Sequence, residues 1–178
     1  MRLILYHGTS EDNAKKIEKE GFVTDKSYNW DIKSKPGFLY LSQAYGPFYA
    51  MSHNTNKLAL IKVEVDSKDC YPEDDFLMWY MLKKPKYTQD DLDKINLENH
   101  KFLWRESLKY IGNVAVKPDK VKVLGIRYFD GKNLLFKCDP SITPINFKIM
   151  GEYYKQLSEW IYGGNDILKF KNIMGVNE

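Results

Sequence analysis

The residues best suited to chemistry stand at the start of the chain, in the segment Tyr6-His7-Gly8-Thr9. A histidine can donate or accept a hydrogen bond at its ring nitrogens, and a glycine leaves room for a ligand to lie against backbone amides. Since the chain has 3 histidines, one beside a glycine at a strand end is a candidate binding residue. The alternative is that His7 is a half-buried strand residue and that Gly8-Thr9-Ser10 caps the next helix. This segment alone leaves both interpretations open.

Hydrophobic periodicity predicts the elements that position this segment. Met1–Tyr6 is mostly apolar and predicts a strand. Ser10–Glu20 predicts an amphipathic helix, which Ser10 or Thr9 caps and Gly21 ends. The histidine is therefore expected where a strand passes into a helix.

The rest of the chain alternates short apolar runs with amphipathic ones, which predicts a mixture of strands and helices. Strands are predicted at residues 38–41, 58–65, 104–110, 113–116, 123–128 and 134–137, and helices at 43–53, 88–99 and 147–162. Asp130-Gly131 predicts the hairpin turn before the last strand. We expect a domain over 1–138, with 66–100 as an insertion between core strands. A C-terminal helical extension over 139–178 is expected to pack on the same domain.

The bulk composition restricts the class of protein. A length of 178 residues, 43% of them hydrophobic, suits one domain with a real core. A net charge of +3, from 27 basic and 24 acidic residues, neither marks nor excludes a nucleic-acid binder. Cys70 and Cys138 lack the spacing of metal ligands or of a disulfide framework, so we expect a reducing compartment and no metal. Without a signal-like or membrane-spanning apolar segment, we expect a cytoplasmic protein with no membrane partner.

Three segments in chain order carry a family resemblance. They are Tyr6-His7-Gly8-Thr9, Gly37-Phe38-Leu39-Tyr40-Leu41-Ser42 with a helix after it, and Trp104-Arg105-Glu106-Ser107-Leu108. Over roughly residues 3–130 the chain resembles the ADP-ribosyltransferase fold of the histidine–tyrosine–glutamate class, which diphtheria-toxin-like toxins and poly(ADP-ribose) polymerases share. The third segment is the least specific, because it depends on a single glutamate. The resemblance implies an α+β fold, with two small, mostly antiparallel sheets split around an NAD cleft and helices 10–20 and 43–53 at the periphery.

The resemblance implies an NAD site built from the first two segments. His7 would hold the adenosine ribose, the backbone of Gly8 would bind the nicotinamide amide, and the hydroxyl of Thr9 would add a hydrogen bond. Tyr40 would stack on the nicotinamide, close to His7 at the cleft, and Ser42 belongs to the same binding set. Taken alone, a tyrosine in an apolar strand such as Tyr40 also fits a core position.

The resemblance also implies a second aromatic residue and an acid at the nicotinamide. Tyr49 would close the other face of the ring, with Tyr45 as the alternative, although either tyrosine could simply pack its helix on the sheet. Glu106 would bind the 2′-hydroxyl of the reacting ribose, and it could equally be a solvated strand end. Glu64 is the rival acid, and Asp66 is a weaker one.

Cleavage of the nicotinamide–ribose bond creates an oxocarbenium-like ribose, so an enzyme of this kind acts mainly by positioning and by charge stabilisation. The resemblance therefore predicts an NAD-dependent mono-ADP-ribosyltransferase that uses His7, Tyr40 and Glu106 and releases nicotinamide. Its partners would be NAD, as substrate, and an intracellular protein or nucleic acid, with an antitoxin or a host target among the candidates. Trp104 stands where arginine-directed members carry Gln or Glu, which argues against an arginine acceptor.

Two other classes of function stay open at this stage. One is a catalytically inactive member of the fold that binds ADP-ribose or a partner protein. The other is an unrelated α+β domain that binds nucleic acid by stacking bases on Trp30, Trp79 and Trp104 and contacting phosphates with lysines. Release of nicotinamide separates the enzyme from the first class, and salt-dependent binding of nucleic acid identifies the second.

Overall fold

Helices and strands alternate through the described part of the chain, which covers residues 1–24, 34–84, 86–131 and 147–165 of this computed structural model. The strands are β1 (Arg2–Ser10), β2 (Leu39–Ser42), β3 (Lys57–Asp66), β4 (Cys70–Tyr71), β5 (Asn113–Val116) and β6 (Lys122–Asp130). The helices are α1 (Glu11–Glu20), α2 (Gly46–Met51), α3 (Asp74–Leu82), α4 (Gln89–Asp93), α5 (Trp104–Ile111) and α6 (Phe147–Tyr162). Short 3-10 turns lie at Ser67–Asp69, Glu98–Leu103 and Pro118–Lys120. This mixture of helices with an antiparallel sheet confirms the predicted α+β class.

The described strands form one antiparallel sheet in the order β4-β5-β2-β1-β3-β6. On one side β3 pairs with β1 along its length and with β6, and on the other side β5 pairs with β2 and β4. Among the described residues these two halves meet only at the pair Tyr6↔Ser42. The expectation of two separate sheets is therefore replaced by one sheet made of two halves. Beyond Tyr6, β1 continues to Ser10 with no β2 residue paired to it.

The sheet is covered on both faces, because alternate residues of a strand point to opposite sides. On one face Leu5, Ile61 and Val114 belong to a buried cluster against which α1 and α5 pack. On the other face Tyr6 and Leu60 belong to a second cluster that α2 and α6 cover. The helices α1, α2 and α5 are thereby held against a rigid apolar layer.

Residues 66–100, predicted as an insertion, build the β4 edge of the sheet and most of a third buried cluster. Phe76, Leu77 and Met78 of α3 are buried there against Tyr71 and Ala115. The N-terminal end of α3 therefore reaches the strands β2 and β5 at the centre of the molecule.

The C-terminal helix packs on the same body as the rest of the chain, as α6 lies on the β1–β3–β6 half of the sheet. The Tyr162 hydroxyl accepts a hydrogen bond from the Lys62 N–H (2.7 Å) and lies 3.0 Å and 2.5 Å from the carbonyl oxygens of Leu60 and Gly125. These contacts hold the end of the helix on β3 and β6.

The predicted strand just before β5 is wrong, because Trp104–Ile111 forms a helix, α5. Trp104, Leu108 and Ile111 recur at helical spacing, and all three pack against the core clusters. Gly112, with φ 74°, then ends the helix in the left-handed conformation that glycine tolerates best. Glu106 is consequently a helix residue and not a strand residue.

Other element boundaries differ less from the predictions. The first strand extends through Ser10, whose hydroxyl caps α1 by accepting from the Asn13 N–H at 3.3 Å, as predicted. The helices predicted at 43–53 and 88–99 are shorter, since α2 begins at Gly46 and α4 ends at Asp93. The predicted strand at 134–137, the 138/139 boundary, Trp30 and Cys138 lie outside the described residues.

Candidate functional site

A cavity of about 990 Å³ lies where the two halves of the sheet meet. Its wall contains the predicted site residues His7, Gly8, Thr9, Tyr40 and Tyr49. The same wall contains three consecutive acidic residues at the start of α3, which are Glu73, Asp74 and Asp75. A volume of this size is at the upper end of the range for small-molecule sites. The cavity is therefore large enough for a dinucleotide.

His7 joins the first two segments of the predicted site. Its Nδ1 lies 3.3 Å from the carbonyl oxygen of Tyr40, and since a carbonyl only accepts, Nδ1 is the donor. Burial lowers the pKa of His7 to about 4, and the hydrogen bond to Tyr40 only partly offsets this. The ring is therefore neutral at pH 7, with Nε2 as a hydrogen-bond acceptor. His7 and Tyr40 thus lie on adjacent strands as expected, but they meet through the backbone carbonyl of Tyr40. The His7 ring packs on Phe22, whereas the Tyr40 ring packs against the buried cluster that contains Tyr71.

Gly8 is in contact with the backbone of α2. A Cβ on Gly8 would lie 1.7 Å from the carbonyl oxygen of Gly46 and 2.6 Å from the backbone nitrogen of Ala50. A Cβ on Gly46 would lie 2.8 Å from the Cβ of Tyr6. The missing side chain of Gly8 thus makes room for α2, whereas the sequence alone suggested that it makes room for a ligand. Its backbone still lines the cavity.

Thr9 faces the cavity beside the second described histidine of the site, His53. Thr9 is 3% exposed, and its Oγ1 lies 3.5 Å from the Nε2 of His53. Burial lowers the pKa of His53, so this ring is also uncharged at pH 7. The hydroxyl of Thr9 consequently belongs to a neutral polar pair.

The side chain of Tyr40 is fixed by two hydrogen bonds at its hydroxyl. Its hydroxyl donates a hydrogen bond to Oδ2 of Asp74 and accepts one from the Lys35 N–H at 3.2 Å. Burial and the neighbouring Asp74 carboxylate raise the pKa of Tyr40 well above its usual value. The ring therefore stands in the cavity wall as a neutral aromatic surface of fixed orientation.

A buried hydrogen-bond network connects Tyr49 to Glu73. The Nδ2 of Asn113 donates to the Glu73 carboxyl at 3.0 Å and also to the Tyr49 hydroxyl. The Glu73 N–H donates to the Oγ of Ser107 at 2.9 Å, and that hydroxyl donates to the Asn113 carbonyl at 2.9 Å. Glu73 is thus held by α5 and β5 at once, which gives its carboxyl a defined position in the wall.

The acidic residues at the start of α3 have unusual proton affinities. Burial raises the pKa of Glu73 to about 8; the Asp75 charge adds to this increase, and the Asn113 hydrogen bond opposes it. Burial also raises the pKa of Asp74 to about 6, against the hydrogen bond from Tyr40. At pH 7 Glu73 is therefore mostly protonated and Asp74 mostly ionised. Carboxyl groups with such values inside a cavity are typical of functional sites.

Two predicted site residues do not line this cavity. Glu106 is exposed on α5, while its neighbour Ser107 is 0% exposed and takes part in the network around Glu73. Adjacent residues of a helix point about 100° apart, so the buried position of Ser107 leaves Glu106 on the exposed side of α5. The hydroxyl of Ser42 accepts from the N–H groups of Ala44 and Tyr45 at 3.2 and 2.7 Å and shapes the turn into α2.

The alternative residues of the sequence analysis also lie elsewhere. The Tyr45 ring packs against Tyr154 of α6, so the cavity contains Tyr49 instead. Glu64 lies 3.8 and 3.9 Å from the cations of Arg2 and Lys122, and Asp66 binds the amino group of Met1. None of these three lines the described cavity wall.

The sequence analysis missed Glu73, Asn113 and Ser107. A signal for Glu73 existed, because an acidic run directly before the apolar run of α3 places a carboxyl beside a buried helix. Acidic residues in a first helical turn are ordinary, however, since they favour the helix dipole, and this hid the signal. Asn113 and Ser107 have no signal in a single sequence.

The chain matches no model of a known protein family, no curated protein and no solved structure in the three comparisons made. No helix of the described ranges combines the length and the apolar character needed to cross a bilayer. The same ranges contain no group of three or more His, Cys, Asp or Glu side chains placed to hold a metal ion.

Proposed function

We propose that the cavity binds NAD and that the protein transfers ADP-ribose from NAD to a macromolecule, with release of nicotinamide. The observation that carries this proposal is the hydrogen bond between His7 and Tyr40, which brings the first two segments of the predicted site to one cavity. Gly8, Thr9 and Tyr49 line the same wall. The fold class and the volume are compatible with this ligand.

Charge gives the expected direction of NAD in the cavity. The nicotinamide ring of NAD is a cation, whereas the pyrophosphate is an anion. The ring is therefore favoured near the ionised Asp74, with Tyr40 and Tyr49 available for stacking. The pyrophosphate is disfavoured at this acidic end and is expected near Lys16 of α1, one turn before Glu20, the single acidic residue that α1 contributes to the wall.

His7 suits a ribose better than a phosphate. Its neutral ring uses Nδ1–H on the Tyr40 carbonyl and offers Nε2 as an acceptor, which matches the O–H donors of a ribose. An anionic phosphate would instead need a charged donor. We therefore keep the proposed ribose contact at His7.

The carboxyl group proposed for the reaction is that of Glu73, because Glu106 lies outside the cavity. In the transfer, the C1′–N bond breaks and nicotinamide leaves with its electron pair. A nucleophile of the acceptor then bonds to C1′ and loses its proton. In its ionised form Glu73, positioned by Asn113, can stabilise the developing positive charge and take that proton.

A second candidate is a non-catalytic module that binds ADP-ribose. The position of Glu106 on the exposed side of α5 favours it, since the family's acid is then missing from the expected place. Calorimetry with NAD and with ADP-ribose, combined with measurement of nicotinamide release, separates the two. Tight binding of ADP-ribose with no nicotinamide released would establish the module, and no binding of either ligand would overturn both proposals.

Tyr40→Ala is expected to weaken NAD binding at least tenfold, because the variant removes the stacking surface. Tyr40→Phe keeps the ring but removes the hydrogen bond from the hydroxyl to Asp74, so we expect a loss of about 1–2 kcal/mol of stability and an affinity change below threefold. Calorimetry and urea unfolding check both effects. Tyr128→Ala, an exposed tyrosine on β6, is the control. Unchanged affinity of folded Tyr40→Ala would reduce Tyr40 to a packing role.

Acidification is expected to destabilise the protein through His7. The folded state holds the pKa of His7 at about 4, below the usual 6.5, so the unfolded chain binds a proton first as the pH falls. The contribution is absent above about pH 6.5 and grows as the pH decreases towards 4. Urea unfolding at pH 7 and pH 5 should show a smaller loss for His7→Gln than for the wild type. His100→Gln, outside the cavity, should behave as the wild type.

A further inference from the structure

An exposed group of aromatic rings covers the C-terminal part of α3 and the adjacent end of α5. Trp79, Tyr80 and Tyr110, here called the aromatic patch, are 47%, 43% and 62% exposed. The Trp79 and Tyr110 ring centroids lie 5.3 Å apart, and Tyr80 stacks on the buried Phe76 at 5.3 Å. Large rings held in this way on a buried base present fixed flat surfaces to solvent.

Positive charge accompanies the aromatic patch. The Lys83 Nζ lies 5.3 Å from the Trp79 ring centroid and 5.2 Å from that of Tyr80. No carboxylate of the described chain forms an ion pair with Lys83, whereas Lys84 pairs with Asp91 at 2.9 Å. The chain then continues to the exposed Lys86. A cation beside stacking surfaces is the combination that binds single-stranded nucleic acid, since bases stack and phosphates pair with lysine.

We propose that the aromatic patch binds single-stranded nucleic acid and that this strand is the acceptor of the ADP-ribosyl group, an inference that rests on the proposed function. An apolar protein surface fits less well, because it would have to desolvate Lys83. Of the three tryptophans that the sequence suggested for stacking, Trp79 is the one that the described residues place in the patch. Trp104 packs against the core, and Trp30 lies outside the described residues.

Helix α3 connects the patch to the cavity. Its first residues, Asp74 and Asp75, line the cavity wall, and its last turn carries the patch. Nine residues at 1.5 Å each span about 13 Å, which is the length of roughly four stacked nucleotides at 3.4 Å. A strand whose phosphates stay near Lys83 can therefore reach the cavity with one base or hydroxyl, which would displace nicotinamide, while the acidic start of α3 disfavours further phosphates there.

The test is fluorescence anisotropy with a labelled 12-nucleotide DNA or RNA, single-stranded and duplex, at several salt concentrations and without NAD. We expect the single strand to bind more tightly than the duplex, and Trp79→Ala or Tyr110→Ala to weaken binding at least tenfold. Lys83→Ala should lower the salt slope by about 0.7. Tyr128→Ala and Lys122→Ala, on the distant β6, are the matched controls. Melting temperatures and NAD affinity show that each variant is folded.

The outcomes distinguish this inference from the proposed function. If the wild type released nicotinamide but bound no oligonucleotide, the inference would be overturned and the proposed function would stay intact. The same holds if Tyr128→Ala lost as much oligonucleotide affinity as Trp79→Ala. Self-association abolished by Trp79→Ala, without oligonucleotide binding, would make the patch a protein interface and also overturn it. Oligonucleotide binding that never leads to labelled ADP-ribose on the strand would overturn the acceptor role. Label on the single strand, lost in Trp79→Ala, supports the whole proposal.

Discussion

Glu73→Gln is expected to lower the rate of nicotinamide release 100- to 1000-fold while changing NAD affinity less than about threefold. The substitution keeps the shape of the side chain and its bond from Asn113. It removes the group that can carry a negative charge or accept a proton, and both roles matter only as the C1′–N bond breaks. The loss should therefore fall on kcat and not on KM. Steady-state kinetics with calorimetric NAD binding measure the two effects separately.

Glu106→Gln is the matched control, because it makes the same chemical change on the exposed side of α5. We expect it to retain wild-type turnover and affinity. If instead Glu106→Gln were inactive and Glu73→Gln active, Glu106 would be the catalytic carboxyl group and Glu73 would only be part of the cavity wall.

The pH dependence of stability gives a second view of Glu73. With a pKa of about 8, the folded protein holds a proton that the unfolded chain, near 4.5, releases. The folded state therefore binds more protons between these values, and the free energy of unfolding decreases as the pH rises from about 4.5 to 8. Glu73→Gln should remove this contribution. Its stability relative to the wild type should consequently increase between pH 5 and pH 8 in urea unfolding.

Gly8→Ala is expected to cost more than about 3 kcal/mol of stability or to prevent folding. The new Cβ would meet backbone atoms of Gly46 and Ala50, which cannot rotate away as a side chain can. Helix α2 would have to move off β1, and Tyr49 would leave the cavity wall with it. Urea unfolding and circular dichroism measure the loss.

Gly21→Ala is the control for the glycine change. Gly21 has a φ of 79° and nothing within 4 Å of its Cβ position, so the substitution costs only about 1 kcal/mol of backbone strain. Comparable stability of the two variants would show that β1 and α2 are not in direct contact at Gly8.

The sequence predicted most of the fold because its elements carry local signals. The Ser10 cap and Gly21 define α1, alternating apolar residues define β3, and both agree with the structure. The strand predicted at 104–110 is wrong, although the sequence carried the signal for a helix. Trp104, Leu108 and Ile111 follow helical spacing and do not alternate as they would on one face of a strand.

The candidate site was predicted where residues adjacent in sequence form it, and missed where distant elements do. His7, Gly8 and Thr9 reach the cavity because one strand carries them all. Glu73 and Asn113 are 40 positions apart, and their contact depends on how α3 and β5 pack. No periodicity encodes such packing.

Because β1 and β2 pair only at Tyr6↔Ser42 among the described residues, the two halves of the sheet can shift relative to each other more easily than paired strands within one half. Along the other long strand pairs, a continuous ladder of hydrogen bonds resists shear. Across this seam the described ladder has one pair, and the His7–Tyr40 bond and the buried cluster that Leu5 shares with Leu41 supply the rest of the contact. A ligand that contacts β1 and β2 together would restrict this relative movement of the two halves. We therefore expect substitutions on the outer strands, β4 or β6, to change the width of the cavity by altering the twist of one half of the sheet, although they replace no residue of the cavity wall.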